Sequence, residues 1–273
     1  MERLDRLILE AIREDMPDGD VTTDALFTDQ TAQAHFIAKQ DGVISGIDVA
    51  RRVFSIVDPD AIFEEKRHNG ERALKGDVVA VVFGRTASIL KAERIALNFL
   101  QRMSGIATKT AAFVAATAGT NARILDTRKT TPSLRFLEKR AVADGGGMNH
   151  RQSLSDMAMI KDNHIKAAGS ISAAVAIVKA KVPAAIKVEV EVESVAQFIE
   201  AVATAADIVM LDNMGTPAMA ECVRLNAGRK KLEASGNMTL SRIPEVAATG
   251  VDYISVGALT HSFESLDVSL RFQ

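Results

Sequence analysis

The stretch Ile186-Lys187-Val188-Glu189-Val190-Glu191-Val192-Glu193 alternates aliphatic and charged side chains without a break. Successive side chains of a β-strand point to opposite faces, so the pattern predicts one aliphatic face and one charged face. If the aliphatic face packs against helices, Glu189, Glu191 and Glu193 point into the interior of a barrel. An exposed edge strand with one solvated face is the alternative. Carboxylates this close together are costly to bury, so a barrel interior would have to supply cations or a metal.

Short apolar strands of this kind alternate with amphipathic helices from about Ile124 onward. The predicted strands are Arg123 to Asp126, Met157 to Lys161, Ile186 to Val192, Asp207 to Leu211, Lys231 to Ala234 and Tyr253 to Val256. The predicted helices are Ser133 to Ala143, Ser170 to Lys181, Ser194 to Ala205, Pro217 to Asn226, Ser241 to Thr249 and a last one from Ser262. This alternation favours a parallel sheet with outer helices, closed or nearly closed into a β/α barrel. An open doubly wound sheet is the alternative, although no Gly-x-Gly-x-x-Gly follows the first strand.

The first hundred residues have a different pattern, typical of a small mixed α/β domain. Ala32 to Lys39 and Val78 to Phe83 are predicted strands. Ile47 to Val57 and Ala87 to Met103 have apolar residues at helical spacing and are predicted helices.

The composition is that of a globular protein, with 47% hydrophobic and 25% charged residues and a net charge of -2. This balance gives no argument for nucleic acid or an acidic membrane as a partner. The single cysteine, Cys222, cannot form an internal disulfide, which is typical of a reducing compartment. No signal peptide is predicted at the amino terminus, and no run approaches the roughly 20 apolar residues of a membrane span. We therefore expect a cytoplasmic protein.

Each predicted barrel strand carries or is followed by polar residues or glycine that an apolar core would not select. These positions are Asp126-Thr127-Arg128-Lys129, Lys161-Asp162-Asn163-His164, Glu189 with Glu191 and Glu193, Asp212-Asn213, Ser235-Gly236-Asn237 and Gly257. Active sites of β/α barrels lie at the carboxyl ends of the strands. We interpret the whole set as one site; solvated loop starts are the alternative for each position alone.

Cations cluster on two adjacent strand–helix units and indicate an anionic ligand. Arg128 and Lys129 follow the first barrel strand, His150 and Arg151 precede the second, and Lys161 ends it. Arginine presents a planar fork that suits a carboxylate or a phosphate, and lysine acts as a point charge. Two arginines could each bind one carboxylate of the same ligand.

The last two barrel units have the pattern of a phosphate-binding site. Ser235-Gly236-Asn237 and Gly257-Ala258-Leu259-Thr260 each precede a predicted helix. Backbone N–H groups at helix amino termini bind phosphate, and the final strand loops of barrels often serve this purpose. Ordinary glycine-containing turns are the alternative.

Glu191 and Asp212 are candidate ligands for a divalent cation that bridges a diphosphate. Mg²⁺ typically takes one or two carboxylates plus substrate oxygens. No His/Cys spacing predicts zinc. His68, His164 and His261 have no partner identifiable in the sequence, so we expect structural or surface roles for them.

Motifs spread in order over almost the whole chain carry a resemblance to a known family. They are Glu93-Arg94, Ala96-Leu97-Asn98, Ser104-Gly105-Ile106-Ala107-Thr108, Asp126-Thr127-Arg128-Lys129-Thr130-Thr131-Pro132, Gly145-Gly146-Gly147, Asn149-His150-Arg151, Ile160-Lys161-Asp162-Asn163-His164, Glu189-Val190-Glu191, Leu211-Asp212-Asn213, Glu233-Ala234-Ser235-Gly236, Thr249-Gly250-Val251-Asp252 and Ser255-Val256-Gly257-Ala258-Leu259-Thr260-His261-Ser262. With these motifs the chain resembles the quinolinate phosphoribosyltransferases. Asn237 departs from the glycine that many members have at that position.

The resemblance implies an α/β fold with an N-terminal open α/β sandwich and an incomplete, TIM-like β/α barrel. We expect the sandwich at residues 1–108, with the tail of about 265–273 packed back on it, and the barrel at 109–264. The resemblance also implies a homodimer with shared active sites, in which the partner's Arg94 reaches the barrel site; higher oligomers stay open.

The implied reaction joins quinolinate to phosphoribosyl pyrophosphate, with Mg²⁺ as cofactor, and yields nicotinate mononucleotide, pyrophosphate and CO₂. The implied catalytic residues are Lys129, Glu191 and Asp212, of which the last two hold the metal. The implied substrate-binding residues are Arg94, Thr127, Arg128, His150, Arg151, Lys161, Ser235, Gly236, Asn237, Gly257 and Ala258. A related transferase with another ring substrate and a non-catalytic phosphometabolite-binding protein are the alternatives.

Overall fold

The computed structural model describes residues 2–273. The helices are α1 (Arg3–Asp15), α2 (Val21–Leu26), α3 (Ile47–Val57), α4 (Thr86–Ala115), α5 (Arg135–Asp144), α6 (Asp162–Ala168), α7 (Ile171–Lys181), α8 (Val195–Val202), α9 (Thr216–Asn226), α10 (Ile243–Ala247) and α11 (Ala258–His261). The strands are β1 (Thr31–Ala38), β2 (Gly42–Val43), β3 (Ile62–Glu65), β4 (Arg72–Ala73), β5 (Val78–Arg85), β6 (Arg123–Leu125), β7 (Ala158–Ile160), β8 (Val188–Val192), β9 (Ile208–Asp212), β10 (Lys231–Ser235), β11 (Tyr253–Ser255) and β12 (Val268–Phe272). The chain divides into two compact units.

The first unit comprises residues up to Lys109 together with Ala143–Gly145 and Phe263–Gln273. Its main sheet is antiparallel, in the order β12-β1-β5-β3. Phe36 on β1 packs edge-on against Phe54 of α3, with ring centroids 5.9 Å apart. Phe63 on β3 lies 5.5 Å from both rings. These aromatic contacts place α3 on one face of the sheet.

The carboxyl terminus differs from the sequence prediction. A last helix was expected from Ser262, but α11 ends at His261 and Val268–Phe272 forms β12. This strand pairs with β1, with Val268 opposite Ala38 and Phe272 opposite Ala34. The apolar residues of β12 recur at every second position, which is a strand period rather than a helical one.

The second unit comprises residues 110–142 and 146–262. Its sheet is parallel, in the order β6-β11-β10-β9-β8-β7, with helices between consecutive strands along the chain. The two outer strands, β6 and β7, do not pair with each other within the described part of the chain. This arrangement confirms the predicted incomplete β/α barrel.

Strand β8 carries the alternating stretch on which the barrel prediction rests. Val188, Val190 and Val192 are fully buried, and Glu189 on the other face is fully buried as well. A strand of a parallel sheet covered on both sides has this burial. The edge-strand alternative is therefore wrong. Glu193 lies beyond the end of the strand and is exposed, so its predicted place in the interior is wrong too.

Several helices also differ from prediction. Helix α4 extends to Ala115, well past the predicted end at Met103. Helix α6 was missed because no loop separates it from β7. The strand ends at Ile160, and Lys161 is already the N-cap residue of the helix. The predicted helix from Ser241 to Thr249 is a 3-10 turn at Leu240–Arg242 followed by the short α10. No helix among residues 2–273 is both long and apolar enough to cross a membrane.

Candidate active site

A cavity of about 870 Å³ opens at the carboxyl ends of the barrel strands, within the second unit. Its lining residues are Thr127, Arg128, Lys129, His150, Arg151, Met159, Lys161, Glu191, Met210, Asp212, Asn213, Glu233, Ser235, Gly236, Asn237, Met238, Thr239, Ser255, Gly257, Ala258 and His261. The structure thus brings together every predicted catalytic and substrate-binding residue except Arg94. Of the polar strand-end positions interpreted as one site, six do not line the cavity: Asp126, Asp162, Asn163, His164, Glu189 and Glu193. Arg94 is an exposed side chain of α4 in the first unit.

Two arginines line the same cavity, and the charge of one acts on the other. Burial lowers the pKa of Arg151, and the positive charge of Arg128 lowers it further. The guanidinium of Arg151 is held by the carbonyl oxygen of Met157 at 3.1 Å and by the sulfur of Met159 at 3.4 Å. The Nε of Arg128 is buried and has no hydrogen-bond partner within residues 2–273. In the described part of the chain neither guanidinium forms a salt bridge, although more distant carboxylates partly offset the charge of Arg151. An anion bound between these two like charges would stabilise them.

Carboxylates occupy the neighbouring part of the cavity. Glu191 on β8 accepts a hydrogen bond from Lys161 Nζ at 2.6 Å, and its side chain is 17% exposed. Asp212 ends β9 and accepts a hydrogen bond from Asn213 Nδ2 at 2.7 Å. Both carboxylates are half-buried on adjacent strands and line one cavity. Oxygen ligands of this kind fit Mg²⁺, which takes few protein carboxylates and completes its shell from water and phosphate.

The loop after β6 is held against the loop after β11. The hydroxyl of Thr260 donates to the carbonyl oxygen of Lys129 at 2.9 Å, and Thr127 Oγ1 accepts from the Lys129 amide at 3.0 Å. A Cβ on Gly257 would lie 3.0 Å from Lys129 Cδ and 3.1 Å from His261 Nε2. Because Gly257 has no side chain, Lys129 and His261 can both pack against its backbone.

The loop after β10 makes a tight turn against the loop after β9. Gly236 has a φ of +89°, and a Cβ there would lie 2.2 Å from Asn213 Oδ1. Asn237 Nδ2 donates to the same Oδ1 at 3.2 Å. Arg242 donates to the carbonyl oxygens of Gly236 and Met214 at 3.1 and 2.8 Å. Only glycine satisfies both the conformation and the space at position 236.

A buried cluster of His150, Glu189 and Glu233 lies at the floor of the cavity. His150 Nε2 is 3.1 Å from Glu189 Oε2 and 3.4 Å from Glu233 Oε2. Burial opposes a charged ring, but the hydrogen bond with Glu189 and the nearby carboxylate of Glu233 outweigh it and raise the pKa of His150. Burial and the nearby carboxylate of Glu233 also raise the pKa of Glu189.

The geometry of these three side chains could accommodate a metal ion, since their ligand atoms lie within 4.8 Å of one another. The amide N–H of Arg151, however, donates to Nδ1 of His150 at 2.6 Å. A second ring proton on Nδ1, which the raised pKa favours, would point at that N–H. We therefore assign a neutral ring with its proton on Nε2. The proton on Nε2 faces the carboxylates and occupies the position that a metal would need. A histidine that binds a metal normally carries its proton on the other nitrogen and donates it to a neighbouring acceptor, whereas Nδ1 of His150 accepts a hydrogen bond.

The sequence prediction named Asn213 among the polar strand ends but missed seven residues of the cavity wall, namely Met159, Met210, Glu233, Met238, Thr239, Ser255 and His261. Glu233 could have been found, because it alternates with apolar residues on β10 as Glu189 does on β8. His261 was expected to have a structural or surface role; its side chain is exposed and lies at the cavity wall. His164 accepts a hydrogen bond from the Lys161 amide at 3.0 Å, in agreement with the expected structural role.

The fold is an incomplete β/α barrel, and its cavity is lined by cationic side chains, carboxylates and glycine-containing loops. These features define a barrel enzyme for anionic substrates. The C-terminal domain pattern of quinolinate phosphoribosyl transferases matches residues 106–271, and the N-terminal domain pattern matches residues 20–104. The chain belongs to the quinolinate phosphoribosyltransferase family.

Individual relatives resemble the chain over nearly its whole length. A quinolinate phosphoribosyltransferase (decarboxylating) from Nicotiana tabacum is 45% identical to this chain. The aligned region covers 96% of this chain and 80% of that protein. The solved structure of NadC from Streptococcus pyogenes is 44% identical, with a TM-score of 0.95 over 99% of this chain and 97% of that one. The nicotinate-nucleotide pyrophosphorylase from Francisella tularensis is 38% identical, with a TM-score of 0.96 over 99% of this chain and 96% of that one.

Proposed function

We propose that this protein transfers the phosphoribosyl group of phosphoribosyl pyrophosphate to quinolinate and decarboxylates the product. The products are nicotinate mononucleotide, pyrophosphate and CO₂, in the de novo synthesis of NAD. The observation that carries the proposal is the juxtaposition in one cavity of paired arginines, half-buried carboxylates and glycine-containing loops. Family membership supports the same reaction.

The arginines and lysine on one side of the cavity suit a dicarboxylate. Arg128 and Arg151 each present a fork to one carboxylate, and Lys161 adds a point charge. A bound dianion would relieve the repulsion between the two guanidinium groups and satisfy the buried Nε of Arg128. This half of the site orients the pyridine ring toward the sugar, and orientation alone supplies much of the rate of a two-substrate reaction.

The loops on the other side suit the phosphates. Lys129 would bind the leaving pyrophosphate, because its side chain lies beside the Gly257 backbone that a phosphate can approach. The further candidates for the ribose 5-phosphate and its surroundings are Thr127, Ser235, Gly236, Asn237 and Ala258.

Glu191 and Asp212 would stabilise the transition state of the transfer. As pyrophosphate departs, the ribose carbon becomes electron-poor, and carboxylates fixed beside it offset that charge. The same two residues would hold Mg²⁺, which supplies positive charge to the pyrophosphate oxygens when it is bound.

Decarboxylation follows from the charge on the ring. The new bond to ribose makes the ring nitrogen cationic, so the ring accepts the electron pair of the breaking carbon–carboxylate bond. That ring carbon then takes a proton from water as CO₂ leaves. The step uses no dedicated base of the protein.

The proposal includes a cytoplasmic homodimer in which the partner's Arg94 completes the dicarboxylate site. Arg94 is exposed and free to reach another subunit. We also propose that residues 1–108, with the tail from about 265, and residues 109–264 act as the two domains of each subunit.

A direct assay tests the reaction. The purified protein is mixed with Mg²⁺, phosphoribosyl pyrophosphate and quinolinate, and CO₂ and nicotinate mononucleotide are measured. We expect turnover with quinolinate and none with nicotinate. Turnover with nicotinate alone would point to a related transferase with another ring substrate. Binding of both ligands without turnover would point to a non-catalytic protein.

A further inference from the structure

The backbone of His150 is held on both sides by a buried ion pair that lies behind the cavity wall. Asp126 and Lys139 are 0% and 1% exposed, and the Lys139 ammonium contacts Oδ1 of Asp126. The same Oδ1 accepts from the His150 amide at 2.8 Å. Lys139 Nζ in turn donates to the His150 carbonyl oxygen at 2.8 Å. Neither member of the pair lines the cavity.

Asn149, next to His150 in the chain, forms hydrogen bonds with both Asp126 and Lys139. Its Nδ2 donates to Asp126 Oδ2 and to the Lys139 carbonyl oxygen, both at 2.7 Å. The segment that carries these residues runs beside β6, where Met148 forms a parallel bridge with Leu125. The pair therefore connects the end of β6 and helix α5 to the residues that precede Arg151.

Both ring nitrogens of His150 also have partners within the protein. Nδ1 accepts the Arg151 amide at 2.6 Å, and Nε2 faces the carboxylates of Glu189 and Glu233. Every polar atom of His150 thus has a partner in the protein. This arrangement leaves no ring nitrogen for a substrate, in contrast to the predicted substrate-binding role of His150.

We infer that Asp126 and Lys139 are positioning residues of the dicarboxylate site, acting through His150 to aim the side chain of Arg151. The inference rests on the proposed function and deepens it. The chain leaves His150 directly into Arg151, whose guanidinium must reach the cavity wall beside Met159. A displacement of about 1 Å at a binding group can reduce catalysis on the order of 100-fold, so the backbone direction at His150 matters.

A purely structural role makes a different prediction. Breaking a buried ion pair by removing one partner is destabilising, whereas replacing both partners by apolar residues of similar size is often neutral. An apolar pair would therefore restore the fold. It would not restore the hydrogen bonds to the amide and carbonyl of His150.

The test compares Asp126→Leu, Lys139→Met and the double variant of the full-length protein. For each we measure the melting temperature, kcat, and KM for quinolinate and for phosphoribosyl pyrophosphate. We expect the double variant to melt above both single variants. Its KM for quinolinate should still be raised on the order of 10- to 100-fold, with KM for phosphoribosyl pyrophosphate within about twofold of wild type. Recovery of both stability and quinolinate KM, or equal loss of both KM values, would overturn the inference.

Asn149→Ala covers the case in which the double variant does not fold. It removes two hydrogen bonds to the pair without removing either charge, and we expect a several-fold rise in quinolinate KM alone. An unchanged quinolinate KM in this folded variant would also overturn the inference. Lys179→Met is the control, since it removes a lysine partner of Asp207 before β9, away from the cavity. Absence of quinolinate turnover in the wild type, measured in the same assay, would count against the proposed function instead.

Discussion

Lys161 Nζ lies 2.6 Å from Glu191 Oε2, so the two side chains form an ion pair. Lys161 is predicted to bind the dicarboxylate, and Glu191 is predicted to hold the metal and to stabilise charge on the ribose. The pair joins the end of β7 to the neighbouring strand β8 inside the cavity. Both halves of the site therefore meet at this contact. The lysine side chain is 46% exposed, which leaves its other two N–H donors available to a bound anion.

Lys161→Met should weaken quinolinate binding. A hydrogen bond to a charged group contributes about 1.5–3 kcal/mol, so we expect KM for quinolinate to rise by roughly 10- to 100-fold. Steady-state kinetics at saturating phosphoribosyl pyrophosphate measures the change. Lys166→Met is the matched control, because Lys166 is an exposed side chain on the adjoining helix α6. An equal effect of the two variants would contradict the assignment of Lys161.

Glu191→Gln and Asp212→Asn should reduce kcat more than they change KM for quinolinate. Loss of one group that stabilises transition-state charge typically reduces kcat by about 10²–10³. Glu193→Gln, next along the same alternation but exposed, should have activity near wild type. Rates measured over a series of Mg²⁺ concentrations add a second readout. If both carboxylates hold the cation, each variant should need more Mg²⁺ to reach half its maximal rate.

Gly236→Ala should disrupt the phosphate-binding loop. The added Cβ meets the backbone and amide of Asn213 and must also adopt a positive φ. Gly119→Ala is the control, since Gly119 has a φ of +80° but open space around its Cβ. The control should lose only about 1 kcal/mol from backbone strain. Gly236→Ala should in addition raise KM for phosphoribosyl pyrophosphate, and loss of stability without any change in that KM would argue against the loop's role.

The stability of the first unit should depend on Asp58 at acid pH. The hydrogen bond from Arg85, opposed by burial, lowers the pKa of Asp58 to about 2. A carboxyl whose folded pKa lies below its unfolded value near 3.9 stabilises the fold above that value. The stabilisation is lost as the pH falls toward 2, and it amounts to about 2 kcal/mol.

Asp58→Asn should therefore reduce stability at pH 7 and flatten its fall between about pH 4 and pH 2. Urea unfolding at a series of pH values measures both effects. Asp60→Asn changes an exposed carboxyl two residues away and should keep the steep wild-type profile. A wild-type slope in Asp58→Asn would show that the ion pair with Arg85 contributes little.

Shared active sites predict complementation between two inactive variants. Arg94→Ala lacks the residue proposed to reach the partner, and Lys129→Ala lacks a group of the barrel cavity. Mixed dimers should regain activity, because one of their two sites keeps both wild-type residues. Each variant alone should stay inactive at the same concentration. No recovery in mixed dimers isolated with two affinity tags would count against the proposed role of Arg94.

The sequence predicted the barrel because its evidence is local. Alternation in Ile186-Lys187-Val188-Glu189-Val190-Glu191-Val192-Glu193 and the repeated strand–helix period need only neighbouring residues to be recognised. The predicted cavity residues are found together for a related reason: carboxyl ends of parallel strands meet at one edge of a sheet. Strand β12 was mistaken for a helix although its apolar residues alternate, since so short a stretch is established as a strand only by its pairing with β1, more than 200 residues away in the chain.

The chain by itself thus determined the fold class, the family and the residue types that surround the cavity, since each of these depends on short-range pattern or on motif. Only the tertiary structure decided which groups are paired. It joined Lys161 to Glu191, placed Glu233 beside His150, and set the Asp126–Lys139 pair behind the cavity wall. These contacts depend on strand register and barrel curvature, which bring together side chains that no local spacing relates.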